Sequence, residues 1–154
     1  MEYEYSFKVN DIKPYINYCK ENGFEKIKEY SQTRTLYTCG NNILARITKQ
    51  EEKGVTSTVL DFKDDNDSDE TLKVSRETIP LVVNDENKEA IMSMLDIFGY
   101  KIKKELIRKR YVYKKEDTTF EIDDYTSPEI MHVIAIEGEK EQVDKVYNEV
   151  KEIN

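Results

Sequence analysis

The first nine residues alternate with the period of an extended strand: Tyr3, Tyr5, Phe7 and Val9 face one way, Glu2, Glu4, Ser6 and Lys8 the other. One side is a packing surface; the opposite side carries two carboxylates about 7 Å apart, two residues along the strand. Further strands are predicted from about Phe24 to Thr38, Ile43 to Gln50, Val55 to Lys63, Thr71 to Ile79, Lys101 to Lys114, Thr118 to Tyr125 and Ile130 to Glu137. Gly40-Asn41-Asn42, Lys53-Gly54 and Lys115-Glu116-Asp117 supply the turns between neighbours.

Three stretches switch to the helical period. Ile12, Tyr15, Ile16 and Cys19 make one apolar stripe, with Asn10 or Asp11 as the cap and Gly23 as the stop. Ile91, Leu95 and Phe98, with Met94 beside them, make a second stripe between Asn84 and Gly99. Val143, Val146, Tyr147, Val150 and Ile153 make the third, after a break at Gly138. The order is strand, helix, four strands, helix, three strands, helix. Eight mostly antiparallel strands with three one-sided flanking helices predict an α+β domain, with enough strands for a closed barrel holding one small ligand.

At 154 residues the chain is expected to be a single domain, 1–154. A net charge of −8 argues against nucleic acid or an anionic membrane as partner, since both call for a basic footprint. Cys19 and Cys39 lack metal-ligand spacing and read as reduced thiols of a cytoplasmic protein, with no signal or membrane-spanning run. The acidic run Asp64 to Glu70 lacks the central glycine and closing glutamate of a calcium loop, so it reads as a solvated hairpin tip.

Isolated cations interrupt otherwise apolar strands: Arg46 in Leu44-Ala45-Arg46-Ile47, Lys63 at the end of its strand, Arg76, and Arg108 with Arg110 on one face. If these converge, they make a multi-point clamp for a polyanion, because the arginine fork grips phosphate oxygens in pairs. Carboxylates on the first and last strands, with Asp123 between, could hold Mg2+ or Mn2+ bridging to such an anion. His132, the only histidine, alternates with Ile130 and Ile134 on the packing face and reads as structural. Ser6 has no histidine on its face to act as base.

Taken together, Glu2-x-Glu4, Ile43-Leu44-Ala45-Arg46-Ile47, Lys63, Ser75-Arg76, Arg108-Lys109-Arg110, Ile122-Asp123 and Ile134-Ala135-Ile136-Glu137 resemble, in order, the motifs of the CYTH superfamily, the triphosphate tunnel metalloenzymes. The resemblance implies an eight-stranded antiparallel tunnel that takes a triphosphate end-on. Arg46, Lys63, Arg76, Arg108 and Arg110 would contact phosphate, and Glu2, Glu4, Asp123 and Glu137 would hold or support the metal. The lysine of the family's ExExK strand is Ser6 here, and Lys8, two residues on, is the candidate replacement. The implied catalytic set is thus Glu2, Glu4 and Lys8. The second arginine of the LRIR-like strand is Thr48, the acids expected after Arg76 are Thr78 and Pro80, and the first glutamate of the last motif is Ala135.

The expected function is metal-dependent hydrolysis of an inorganic or organic triphosphate, such as thiamine triphosphate, by a monomer or homodimer. The alternatives are a non-catalytic polyphosphate- or nucleotide-binding module and a class IV-type adenylate cyclase.

Overall fold

The computed structural model describes residues 2–64 and 72–153. Its elements are β1 (Glu2–Val9), α1 (Lys13–Glu21), β2 (Glu25–Thr38), β3 (Ile43–Glu52), β4 (Val55–Asp64), β5 (Leu72–Ser75), β6 (Leu81–Val82), α2 (Lys88–Ile97), β7 (Lys101–Lys115), β8 (Thr118–Ser127), β9 (Met131–Gly138) and α3 (Lys140–Val150). The strands form one sheet in the order β5-β1-β9-β8-β7-β2-β3-β4-β6. Every pairing is antiparallel. Two meanders, β2-β3-β4 and β7-β8-β9, are joined by the long β2–β7 ladder, and β1 adds to β9.

All three helices pack on the outer face of this sheet. Tyr15 and Cys19 of α1 and Val143, Val146 and Val150 of α3 close over Phe120, Ile122, Ile134 and Ile136. Tyr5 and Phe7 of β1 join them, Tyr5 stacking on Tyr147 at 4.0 Å. Ile91 and Leu95 of α2 cover Tyr37, Ala45 and Leu60 on the other meander. Since side chains alternate along a strand, the residues between these apolar ones are turned to the inner face. Both cysteines are free, and burial pushes the Cys19 thiol up to about 12.

Three expectations need correction. Among the described residues the closed barrel is not completed as a hydrogen-bonded ring, because β5 and β6 are the two ends of the sheet. The expected fifth strand instead divides its pairing. Its first part, β5, lies against β1, whereas the chain beyond it reaches β4 through Arg76 O to Asp64 N, 3.1 Å, and Thr78 N to Phe62 O, 3.0 Å. Past Pro80, β6 adds a short unforeseen pairing to β4.

The second helix, moreover, begins at Lys88 rather than just after Asn84. Asn84 Oδ1 accepts from the backbone N–H groups of Glu86 and Asn87, forming a turn before the helix. Its stripe also stops at Leu95: Met94 is 48% and Phe98 70% exposed. Gly99, with φ +81°, redirects the chain so that Tyr100 reaches the core instead and meets Phe62 edge-on. At the first helix neither candidate is the cap: that position is Ile12, which makes no side-chain cap hydrogen bond, and Asp11 accepts from Lys13 N just outside the helix. The acidic run from 65 to 70 lies outside the described residues. No described helix is long and apolar enough to cross a membrane.

Candidate functional site

The inner face of the sheet walls a cavity of about 660 Å³, and charged side chains from β1, β2, β3, β4, β7, β8 and β9 converge on it. Among the described residues, five cations and eight carboxylates line it, so that wall is net acidic. Strand register explains the convergence. Leu44, Arg46, Thr48 and Gln50 alternate with Ala45 and Ile47, which pack outward on β3. The same two-residue step sets Arg108 and Arg110 inward on β7, and Glu121, Asp123 and Tyr125 inward on β8.

The cations are held by partners of graded completeness. Arg46, 7% exposed, makes a two-pronged pair with Asp61 at 2.9 and 2.5 Å and lies 3.5 Å from Glu77. Lys63 also lies 3.5 Å from Glu77. Each nitrogen of Arg110 has a partner: Nε and Nη2 donate to Asp123 at 2.7 and 2.8 Å, and Nη1 donates to Glu121 at 2.7 Å. Burial alone would depress its guanidinium, but the Glu121 and Asp123 charges hold it well above the usual arginine value. Arg108, 5% exposed, donates through Nε to Gln32 at 2.9 Å and through Nη1 to Tyr125 at 2.7 Å and Asp123 at 3.4 Å. Its Nη2 is buried and, among the described residues, has no partner. A buried donor left unmade is costly, which marks a place where an acceptor belongs.

Beside Arg110, which reaches Glu121, the residues Glu4, Glu121 and Glu137 offer carboxylate oxygens that all lie within 4.8 Å of one another. Glu4 pairs directly with Glu137 across β1 and β9. Glu137 is pushed up to about 10, by burial first and then by the hydrogen bond and charge of Glu121 and the charge of Glu4. Glu121 moves the other way: burial raises it, but the Arg110 charge, the hydrogen bond with Glu137 and the charges of Arg108 and Arg34 together bring it below the carboxylate norm. Burial and the neighbouring carboxylates thus favour the protonated form of Glu137. Three hard oxygen donors crowded enough to retain a proton fit a small divalent cation, which would take the proton's place.

The positions expected from sequence divide into three sets. Glu2, Glu4, Arg46, Lys63, Arg108, Arg110, Asp123 and Glu137 all line the cavity. Within it, however, Glu2 and Asp123 are outside the three-carboxylate group, and Asp123 is the anchor of two arginines. Lys8 and Arg76 do not line it. Lys8 is exposed at the far end of β1, and the Arg76 side chain, 82% exposed, pairs with Asp64 at 2.8 Å. His132 is on the outer face, its Nδ1 2.5 Å from Asp124 Oδ1.

Two inward residues were not among those expected, Glu121 and Arg34; the two-residue step from Asp123 would have found Glu121, whereas nothing in the sequence around it singles out Arg34. Arg34 lines the cavity from β2 and donates from Nε to Thr48 Oγ1 at 2.9 Å. The two missing charges at Ser6 and Ala135 turn out to be one feature, because these residues pair directly across β1 and β9 and both line the cavity.

No family model matches the sequence. No curated protein matches it either. Solved structures do match. The PH1012 protein of Pyrococcus horikoshii superposes with a TM-score of 0.74 at 19% identity, covering 97% of this chain and 87% of that one. HpAC1 from Hippeastrum, named as a candidate adenylyl cyclase with a dominant triphosphatase activity, gives 0.72 at 14% identity over 99% and 87%. A chain of the Mediator head module of Schizosaccharomyces pombe gives 0.69 at 10% identity over 99% and 96%. At such identities the likeness establishes the fold alone.

Proposed function

On this fold, with cations of four strands set against a carboxylate trio in one cavity, we propose that the protein binds a triphosphate together with a divalent cation and hydrolyses its phosphoanhydride bond. The observation that carries the reading is the shared cavity of Arg46, Lys63, Arg108 and Arg110 with Glu4, Glu121 and Glu137. The curled sheet acts as the tunnel, although its ladder is open. Mg2+ or Mn2+ held by Glu4, Glu121 and Glu137 would supply charge neutralisation and Lewis acidity at the phosphoryl oxygens. Arg108 aims its spare donor at the anion, and Gln32 and Tyr125 fix its plane. Asp123 holds Arg110 and Arg108 in register, so the basic wall is preorganised before substrate arrives.

The net acidic wall makes the order of binding a test. Without a divalent cation the carboxylates repel a polyanion, so chelation is expected to weaken tripolyphosphate binding by at least about 100-fold and to abolish phosphate release. Calorimetry and a phosphate-release assay with tripolyphosphate, thiamine triphosphate and ATP, each with Mg2+ or Mn2+, check this. Metal-independent binding of equal strength would rule the reading out.

The paired loss at Ser6 and Ala135 favours a second reading, a module that binds polyphosphate without turning it over. Tight binding with no phosphate release supports it. Restoring both charges, Ser6→Lys with Ala135→Glu, is expected to raise turnover about 10²–10⁴-fold if a missing proton-transfer or charge-stabilising group is what limits the enzyme. An unchanged rate would show that the natural site needs neither group.

A further inference from the structure

Arg34 has no task in the arrangement above, yet it sits inside the cavity. On β2 it pairs directly with Thr48 of β3. Thr48 is the position where the LRIR-like strand lacks its second arginine, so the register returns a positive charge to nearly the same place from the neighbouring strand. The other guanidinium groups differ in how much of their capacity is used. Arg46 is matched by Asp61, and Arg110 by Asp123 and Glu121. Arg34 makes no ion pair among the described residues, and its hydrogen bond there is the one from Nε to Thr48.

Along the same inner face, Gln32 lies two residues from Arg34 and pairs across the β2–β7 ladder with Arg108, whose Nη2 is the buried orphan. Two guanidinium groups with unused donors therefore adjoin. Burial, and then the like charges of Arg108, Arg46 and Arg110, bring the Arg34 guanidinium down to about 9. Like charges packed this closely, with donors unspent, suit an acceptor that the chain itself does not provide.

We propose that Arg34 and the free Nη2 of Arg108 form an oxyanion subsite that grips one phosphoryl group of the polyphosphate, with Arg34 taking over from β2 the contact that Thr48 lacks on β3. This rests on the polyphosphate reading of the cavity and adds a residue to it. It also assigns the ligand a tetrahedral, multiply charged oxyanion group at the β2–β7 side of the cavity.

The test is tripolyphosphate calorimetry in Mg2+, with thermal melting of the anion-free protein alongside. Arg34→Gln is expected to weaken binding about 10–100-fold, as for loss of a charge-assisted pair of hydrogen bonds. It is also expected to raise the anion-free melting temperature, since a repelled charge is removed. The transposed variant, Arg34→Thr with Thr48→Arg, is expected to recover binding to within about threefold of wild type. Unchanged affinity in Arg34→Gln would overturn the subsite, and a lower melting temperature beside it would show a structural role. Should that variant fail to fold, the transposed one decides: recovered affinity supports the subsite and lost affinity overturns it. A wild-type protein that binds tripolyphosphate as well as Arg34→Gln removes only this inference; one that binds none removes the polyphosphate reading with it.

Discussion

Arg110→Met is expected to lower the melting temperature by about 6–20 °C, from a loss of about 3–5 kcal/mol for breaking a buried ion pair and about 2–4 °C per kcal/mol in a domain of this size. The side chain fixes two carboxylates at once, and Glu121 and Asp123 are only 16% and 3% exposed at their side chains. Removing the guanidinium leaves both without their strongest partner in a low-dielectric wall. Arg110→Lys is expected to recover little, because a point charge cannot fill three directed bonds. Adding Asp123→Asn to Arg110→Met is expected to return part of the loss, which a double-mutant cycle measured by chemical denaturation would show.

The second large effect is at Glu137. Glu137→Gln is expected to lower phosphate release about 10²–10³-fold, as for loss of one preorganised electrostatic group. It is also expected to erase a pH dependence. In the metal-free protein the Glu137 carboxyl stands at about 10, above its ordinary 4.5. The folded state thus binds the proton more tightly than the unfolded one. That contribution is complete below pH 4.5 and is lost as pH rises towards about 10, so metal-free stability falls across this window. Mg2+ displaces the proton, so its apparent affinity rises with pH over the same range. Glutamine copies the protonated form and cannot ligate as an anion. Melting curves with and without Mg2+ between pH 5 and 9 are therefore expected to lose both their slope and their metal-induced shift. A variant that kept the metal-induced shift would place the cation elsewhere, and one that kept the metal-free slope would place the titrating group elsewhere.

Much of this was legible in the chain because alternation carries two messages at once. On β1 the same period that sends Tyr5 and Phe7 under α3 sends Glu4 and Ser6 into the cavity. The inward cations Arg46, Arg108 and Arg110 stood out for the same reason, as charges in strands whose other face is apolar. Three features were not legible. Arg34 lies among Gln32, Thr33 and Thr35, where nothing apolar sets it off, and only the β2–β3 register reveals that it opposes Thr48. Asp123 and Glu121 are equivalent in pattern, and which of them an arginine claims depends on side-chain reach across β7 and β8. The divided strand after residue 71 depends on competition between two edges, β1 and β4, that are far apart in sequence. The position of Lys8 illustrates the limit of face parity: the right face at the wrong end of a strand leaves the side chain outside the cavity.

The central claim is that the inner wall is a joint site for a divalent cation and a polyphosphate. Anomalous scattering from crystals grown with Mn2+ and a non-hydrolysable tripolyphosphate analogue tests it most directly. The expected map has manganese within coordination distance of Glu4, Glu121 and Glu137, and phosphoryl density continuing from it to Arg108. Manganese bound only to carboxylates outside the cavity, with the analogue absent from the arginine wall, would contradict it.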